Sequence, residues 1–242
     1  MKKILAAALG VILLLCTTTP IAKSTTTYSF TPQYTEPCTG LNTKPLPSPW
    51  VSVGIDGEGQ LPTYDEIQIL GFGGRTSCMT TTEVQDDGQA TLSSAAGVST
   101  TNQYITYTIE ALLVNGESVV WTYLRSGPFL LPSYALAVFG TLGTSTASYE
   151  VTEYEPSGGQ YNWNAGTFPT LKQGDTITFA ISGTELYIFQ NGAFVASYNT
   201  SAIGSENEIS SGTVGIQIDA LGGGPPETRV NQIVAGQFTV TH

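Results

Sequence analysis

Histidine, cysteine and basic side chains are all scarce in this 242-residue chain, and each scarcity removes a class of chemistry. The one histidine is the last residue, His242. A serine–histidine–aspartate relay needs an imidazole held beside a hydroxyl, which a lone terminal histidine does not offer. Cys38 and Cys78 with His242 fall short of the usual zinc ligand set. Eight lysines and arginines face nineteen acidic residues. A surface of that sign repels nucleic-acid phosphates and anionic lipid headgroups, and it disfavours polyanionic glycans as ligands. Beyond residue 15 no apolar run approaches the length of about 20 residues that spans a bilayer, so no membrane span is predicted.

The one apolar run, Ile4 to Leu15, follows Lys2 and Lys3 and precedes the small-x-small site Ala22-Lys23-Ser24. This is the pattern of a secretory signal over residues 1–24, with cleavage before Thr25. Cys16 follows Leu15, where lipid attachment calls for a small residue. The remaining residues, 25–242, suffice for one all-β domain with a substantial core. They keep five basic residues (Lys44, Arg75, Arg125, Lys172 and Arg229) against nineteen acidic ones, a formal charge of about −14. In an oxidising compartment Cys38 and Cys78 are expected to pair. A loop of about forty residues closed that way is worth roughly 3–4 kcal/mol on the chain-entropy model.

What the chain does have is strand chemistry. Thr, Ser, Gly, Val, Ile and Tyr dominate, and helical signals are nearly absent. Gln173 to Thr200 reads as three antiparallel strands. Ile177, Phe179 and Ile181 share one face of the first, and Thr176, Thr178 and Ala180 the other. Ser182-Gly183 makes one turn, and Asn191-Gly192 a second in which both central residues need positive φ. Further strands are predicted at residues 67–70, 90–94, 103–113, 118–125, 134–139, 148–154, 212–219 and 229–241. About a dozen short strands without helices or a fixed repeat imply a two-sheet sandwich.

Tyr34-Thr35-Glu36, Pro45-Leu46-Pro47-Ser48-Pro49-Trp50, Asn102-Gln103-Tyr104 and Tyr123-Leu124-Arg125 carry a resemblance that covers nearly the whole of 25–242. The ladder Gly174-Asp175-Thr176 … Gly183 … Asn191-Gly192 extends it, and Gly212 to Ile216 with Val230-Asn231 closes it. The chain resembles exported bacterial and phage-associated domains of the concanavalin A-like lectin and glucanase superfamily. That resemblance implies an all-β, antiparallel two-sheet jelly roll. Its motifs are turns and core positions, so it speaks for the fold and not for a reaction.

Glucanases of that fold carry a Glu-x-Asp-x-x-Glu strand, and this chain has none. The nearest carboxylates are Glu150, Glu153 and Glu155. Retaining hydrolysis needs two carboxyls about 5–5.5 Å apart, and Pro156 marks the end of this strand. Lyases of the fold use a His and a Tyr, which His242 is badly placed to serve. Trp50 to Gly71 also resembles the secreted glutamic endopeptidases, with Gln68 at their catalytic glutamine. The late strand Val214 to Ile218 lacks the partner glutamate, so the acid–base pair is incomplete. Gly71 to Gly74 has no following Lys-Ser/Thr and is no phosphate cradle. Calcium is left open: Asp56, Asp86, Asp87 and Asp219 are oxygen ligands of the right type without a recognised spacing.

Binding remains, with a neutral polysaccharide or cell-surface glycan as the expected partner and no catalytic residue. Along Ser118 to Arg125, alternation places Val119, Trp121, Tyr123 and Arg125 on one face and Val120, Thr122 and Leu124 on the other. With Val120 and Leu124 in the core, Trp121, Tyr123 and Arg125 form a ligand platform that Tyr134 extends on the next strand. The competing reading buries Trp121 and Tyr123 and pairs Arg125 with a carboxylate such as Glu153 or Glu110. Tyr161 and Trp163 are expected in a nearby loop.

Overall fold

The computed structural model describes residues 25–36, 48–52, 68–70, 78–80, 87–93, 96–111, 118–127, 130–140, 147–156, 160–200, 208–220 and 228–242. The signal segment, Cys38, Asp56, Asp86 and Gly71 to Gly74 lie outside these residues. Among the described residues there are fifteen strands: β1 Thr27–Glu36, β2 Trp50–Ser52, β3 Gln68–Leu70, β4 Cys78–Thr80, β5 Asp87–Leu92, β6 Gln103–Ala111, β7 Ser118–Ser126, β8 Ser133–Phe139, β9 Ser148–Tyr154, β10 Gln160–Thr167, β11 Thr176–Ser182, β12 Glu185–Gln190, β13 Ala193–Asn199, β14 Thr213–Ala220 and β15 Arg229–Thr241.

They form two antiparallel sheets. The terminal sheet runs β13-β12-β11-β6-β15-β4-β3, with β1 also bonded to β15. The meander sheet runs β10-β9-β8-β7-β14-β5-β2, so β7 is its middle strand. The predicted jelly-roll sandwich is the observed architecture.

The alternation read from sequence sets the core. Ile177, Phe179 and Ile181 are fully buried and share one core cluster with Val120, Leu124, Leu136 and Val151 of the meander sheet. Each such side chain contributes roughly 1.5–3 kcal/mol by leaving water. The β12–β13 turn takes the expected backbone, with Asn191 at φ 52° and Gly192 at 75°. The preceding turn sits one residue later than predicted, with Ser182 paired to Glu185 and Gly183 at φ 58°.

Four strands, β1, β2, β4 and β10, were not expected as such. β1 contains Pro32, which sits where the register to β15 shifts, and this edge strand tolerates a missing N–H there. Tyr161 and Trp163 lie in the edge strand β10 rather than in a loop. On the far side of the terminal sheet, Tyr104, Tyr187, Phe189 and Phe238 make a second cluster with Tyr28 and Phe30 packed on it. In a flat sheet β1 and β12 would be roughly 19 Å apart, four strand steps. The Tyr28 and Phe189 rings nonetheless meet at 5.1 Å. The β1–β15 ribbon therefore folds back over that face.

Candidate functional site

Val120, Thr122 and Leu124 of β7 are fully buried on the inner side, which turns Trp121 and Tyr123 outward. The neighbouring strand β8 places Ala137 opposite Trp121 and Ala135 opposite Tyr123. These small side chains leave room over the sheet, and three rings fill it. Trp121 and Tyr123 stack at 6.4 Å and 21°, and Tyr154 of β9 meets them at 6.2 and 6.3 Å. Such pairs add about 0.5–1.5 kcal/mol beyond their burial. Leu130 packs against the same cluster. Tyr123 is only 3 % exposed, whereas Trp121 and Tyr154 are half-buried. The Tyr123 hydroxyl donates to Gln217 Oε1 at 2.5 Å. Gln217 is the cross-strand neighbour of Trp121 on β14. Half-buried Glu150 stands opposite Ala137 on the other side, so one row across the sheet reads Gln217, Trp121, Ala137, Glu150.

The four residues singled out from sequence do not form one platform. Trp121 and Tyr123 do face outward together. Tyr134 points the other way, into the core, where it is 1 % exposed and its hydroxyl accepts the Ile209 N–H at 3.2 Å. Strand alternation explains this, because Tyr134 pairs directly with inward-facing Leu124. Burial raises the Tyr134 pKa, and nearby Glu153 adds to that, while its hydrogen bond from Ile209 opposes it.

Arg125 leaves the Trp121–Tyr123 face because the strand pattern breaks there. Its φ is 50°, and the β7–β14 register shifts between Thr213 and Gly215. The 3 % exposed side chain enters the end of the sandwich. Its Nε donates to Thr101 O at 2.9 Å, Nη1 to Ile209 O at 2.8 Å and Nη2 to Gly183 O at 2.6 Å. Its backbone N–H donates to Gln103 Oε1 at 2.5 Å, and Gln103 in turn donates to Ser99 O and Gly212 O. A Cβ on Gly212 would run into the Arg125 backbone, so only glycine fits beside this latch. Burial lowers the guanidinium pKa, against the opposing effects of Tyr134 and Glu208. The carboxylate it meets is Glu208, at 4.0 Å, rather than Glu153 or Glu110. Glu110 instead accepts from Gln173 Nε2 at 3.0 Å.

The nearest carboxylates are also parted. Glu153, 2 % exposed, pairs with inward Tyr134, Glu150 faces outward, and Glu155 lies past the end of β9. Among the described residues no group of three or more metal-type ligands occurs. Asp87 and Asp219 are cross-strand partners of β5 and β14. Cys78 opens β4 opposite Leu70. Sequence reasoning missed Tyr154 and Gln217. Alternation along β9, with Tyr149 and Val151 in the core, already implied that Tyr154 faces outward.

No family model matches the chain, and no curated protein matches it in sequence. Solved structures do. A Bacillus subtilis protein of unknown function with a galectin-like fold superposes with a TM-score of 0.56 at 10% identity, covering 88% of this chain and 99% of that one. The VIP36 exoplasmic/lumenal domain in its Ca2+/Man-bound form gives 0.53 at 10% identity, over 87% and 92%. A Bacteroides ovatus glycoside hydrolase family 16 endo-glucanase gives 0.51 at 12% identity, over 86% and 99%. The chain thus has the concanavalin A-like jelly-roll fold.

Proposed function

We propose that this chain is an exported, non-catalytic glycan-binding module that holds a neutral polysaccharide or cell-surface glycan on the outward face of its meander sheet. The observation that carries this reading is the Trp121–Tyr123–Tyr154 cluster, fixed at the middle of a face that no described strand covers, with Glu150 and Gln217 in line beside it. Trp121 and Tyr154 stack on the apolar faces of sugar rings, and Glu150 and Gln217 hydrogen-bond hydroxyls. Tyr123 is the support beneath them, holding Gln217. Arg125 and Tyr134 act from behind, fixing the end of β7 and the 208–212 segment.

Similar folds include a Man-bound lumenal domain and an endo-glucanase, which supports a carbohydrate ligand. The opposed faces of Glu150 and Glu153 speak against hydrolysis by that pair. Export follows from the amino-terminal pattern, and cleavage before Thr25 leaves β1 whole, since it starts at Thr27. In the exported chain Cys38 and Cys78 form the disulfide. A glycan array run alongside an assay of reducing-sugar release tests the reading. Binding without release is expected, and Trp121→Ala weakens it several-fold. Sugar release would make the protein a hydrolase, and silence in both assays would leave a purely structural component.

A further inference from the structure

The geometry points to a second saccharide-binding patch on the opposite side of the molecule, at the β12–β13 edge of the terminal sheet, taking the pyranose rings of a neutral glycan. Leu186 and Ile188 are fully buried in the inter-sheet core, so their neighbours on β12 face outward. Register places Phe194 opposite Phe189, Ser197 opposite Tyr187 and Asn199 opposite Glu185. Directly opposed residues share a face. That face therefore carries an aromatic row followed by two rows with hydroxyl, amide and carboxylate groups.

Phe194 is 48 % exposed and, with Val51, is one of two exposed large apolar side chains among the described residues. It is nonetheless held in place. Its ring lies parallel to Tyr28 within 5° at 5.8 Å and edge-on to Phe189 at 6.0 Å. A rigid ring kept open to water supplies the flat apolar contact that the C–H face of a sugar needs. Ser197 and Asn199 are exposed along the same strand, at steps of about 6.8 Å for alternate residues. Burial raises the Tyr187 pKa, and Glu185 and Tyr28 add to it.

Charge narrows the occupant. The hairpin from Ser182 to Asn199 has no basic residue and one acid, Glu185. A phosphate, a sulfated glycan or an anionic lipid surface would meet no counter-charge there. An uncharged polyhydroxylated ligand meets donors, acceptors and a ring. Because the two patches lie on opposite outward faces of the sandwich, one chain joins two separate glycan strands.

Affinity electrophoresis through gels containing mixed-linkage β-glucan, laminarin or mannan tests this, using the wild-type protein, Trp121→Ala, Phe194→Ala and the double variant. Each single variant is expected to lose part of the retardation, several-fold, and the double variant all of it. Phe194→Tyr keeps the ring and is expected to migrate like wild type. Ser197→Glu obstructs the patch without touching the ring stack, and should reproduce Phe194→Ala even if the latter is loosened. If Phe194→Ala and Ser197→Glu both migrate as wild type while Trp121→Ala runs free, the second patch is wrong and the first stands. If Phe194→Ala alone abolishes retardation, this patch holds and the meander-sheet reading falls. Wild type unretarded in every gel overturns both.

Discussion

The two outward faces of the sandwich are both aromatic, and they differ in what lies on top. On the terminal sheet Tyr104, Phe189 and Phe238 are each at most 3 % exposed, because the β1–β15 ribbon places Tyr28 and Phe30 over them. On the meander sheet no described strand crosses the cluster, and Trp121 and Tyr154 remain half-buried with Leu130 packed at their side. An outward aromatic is thus not in itself a ligand platform. Its role depends on whether another part of the chain has already taken the apolar surface.

The sharpest way to break that distinction is to compare truncations under one roof and under none. Phe238→Ala should cost about 3–5 kcal/mol in urea denaturation, as a fully buried aromatic does. Trp121→Ala should cost well under half of that while weakening glycan binding several-fold. Equal losses would mean that both faces are core. Next in size is Arg125→Met, expected to lose about 2–4 kcal/mol because three carbonyl oxygens, that of Ile209 buried, lose a charged donor. Its glycan affinity, measured where the variant is still folded, should stay within a few-fold of wild type; a complete loss would return Arg125 to the site.

Tyr123→Phe keeps the ring and removes the bond to Gln217, so the expected cost is about 1 kcal/mol. A selective drop in glycan affinity alongside it would show that Gln217 needs that anchor. The smallest effect concerns the rim of the terminal sheet. Partial burial pushes the Asp175 carboxyl up, but bonds from Asn191, the Lys172 backbone and Gln190 outweigh it and hold the pKa below the ordinary value. A depressed carboxyl stabilises the fold above its unfolded value of about 3.9, and that contribution fades as pH falls through the lower folded value. Asp175→Asn should therefore lower the melting temperature slightly at pH 7, with the deficit shrinking below about pH 4. A deficit that stays constant down to pH 2 would show that ionisation is not its source.

Much of the sandwich was legible because burial on one side of a strand writes period two into the sequence. Ile177, Phe179 and Ile181 against Thr178 are a case where alternation fixed the facing, whereas along β7 it separated Val120 and Leu124 from Trp121 and Tyr123 and left open which pair faced the core. Arg125 defeated the same rule, since a positive φ at the strand end re-aims the side chain and no residue type announces it. Tyr134 was misplaced for a simpler reason: its direction follows from its partner Leu124, and pairing across strands is a tertiary fact. β1 was hidden by Pro32 and by polar edge positions. The ribbon's role as a cover was hidden with it, because nothing local to Tyr28 says where Phe189 will be.

β15 comes after every other strand in the chain and yet lies in the interior of the terminal sheet, bonded to β6, β4 and β1. A polypeptide emerging amino terminus first can pair β7 through β10 as it goes. It cannot complete the terminal sheet until Arg229 to Thr241 arrive. Until then β1 has no partner and the Phe189 cluster lacks Phe238. Pairings between the two ends of a chain are among the slowest to form. Late closure leaves the nascent chain without a completed terminal sheet, and it makes the last thirteen-residue strand the step that commits the molecule to its folded form.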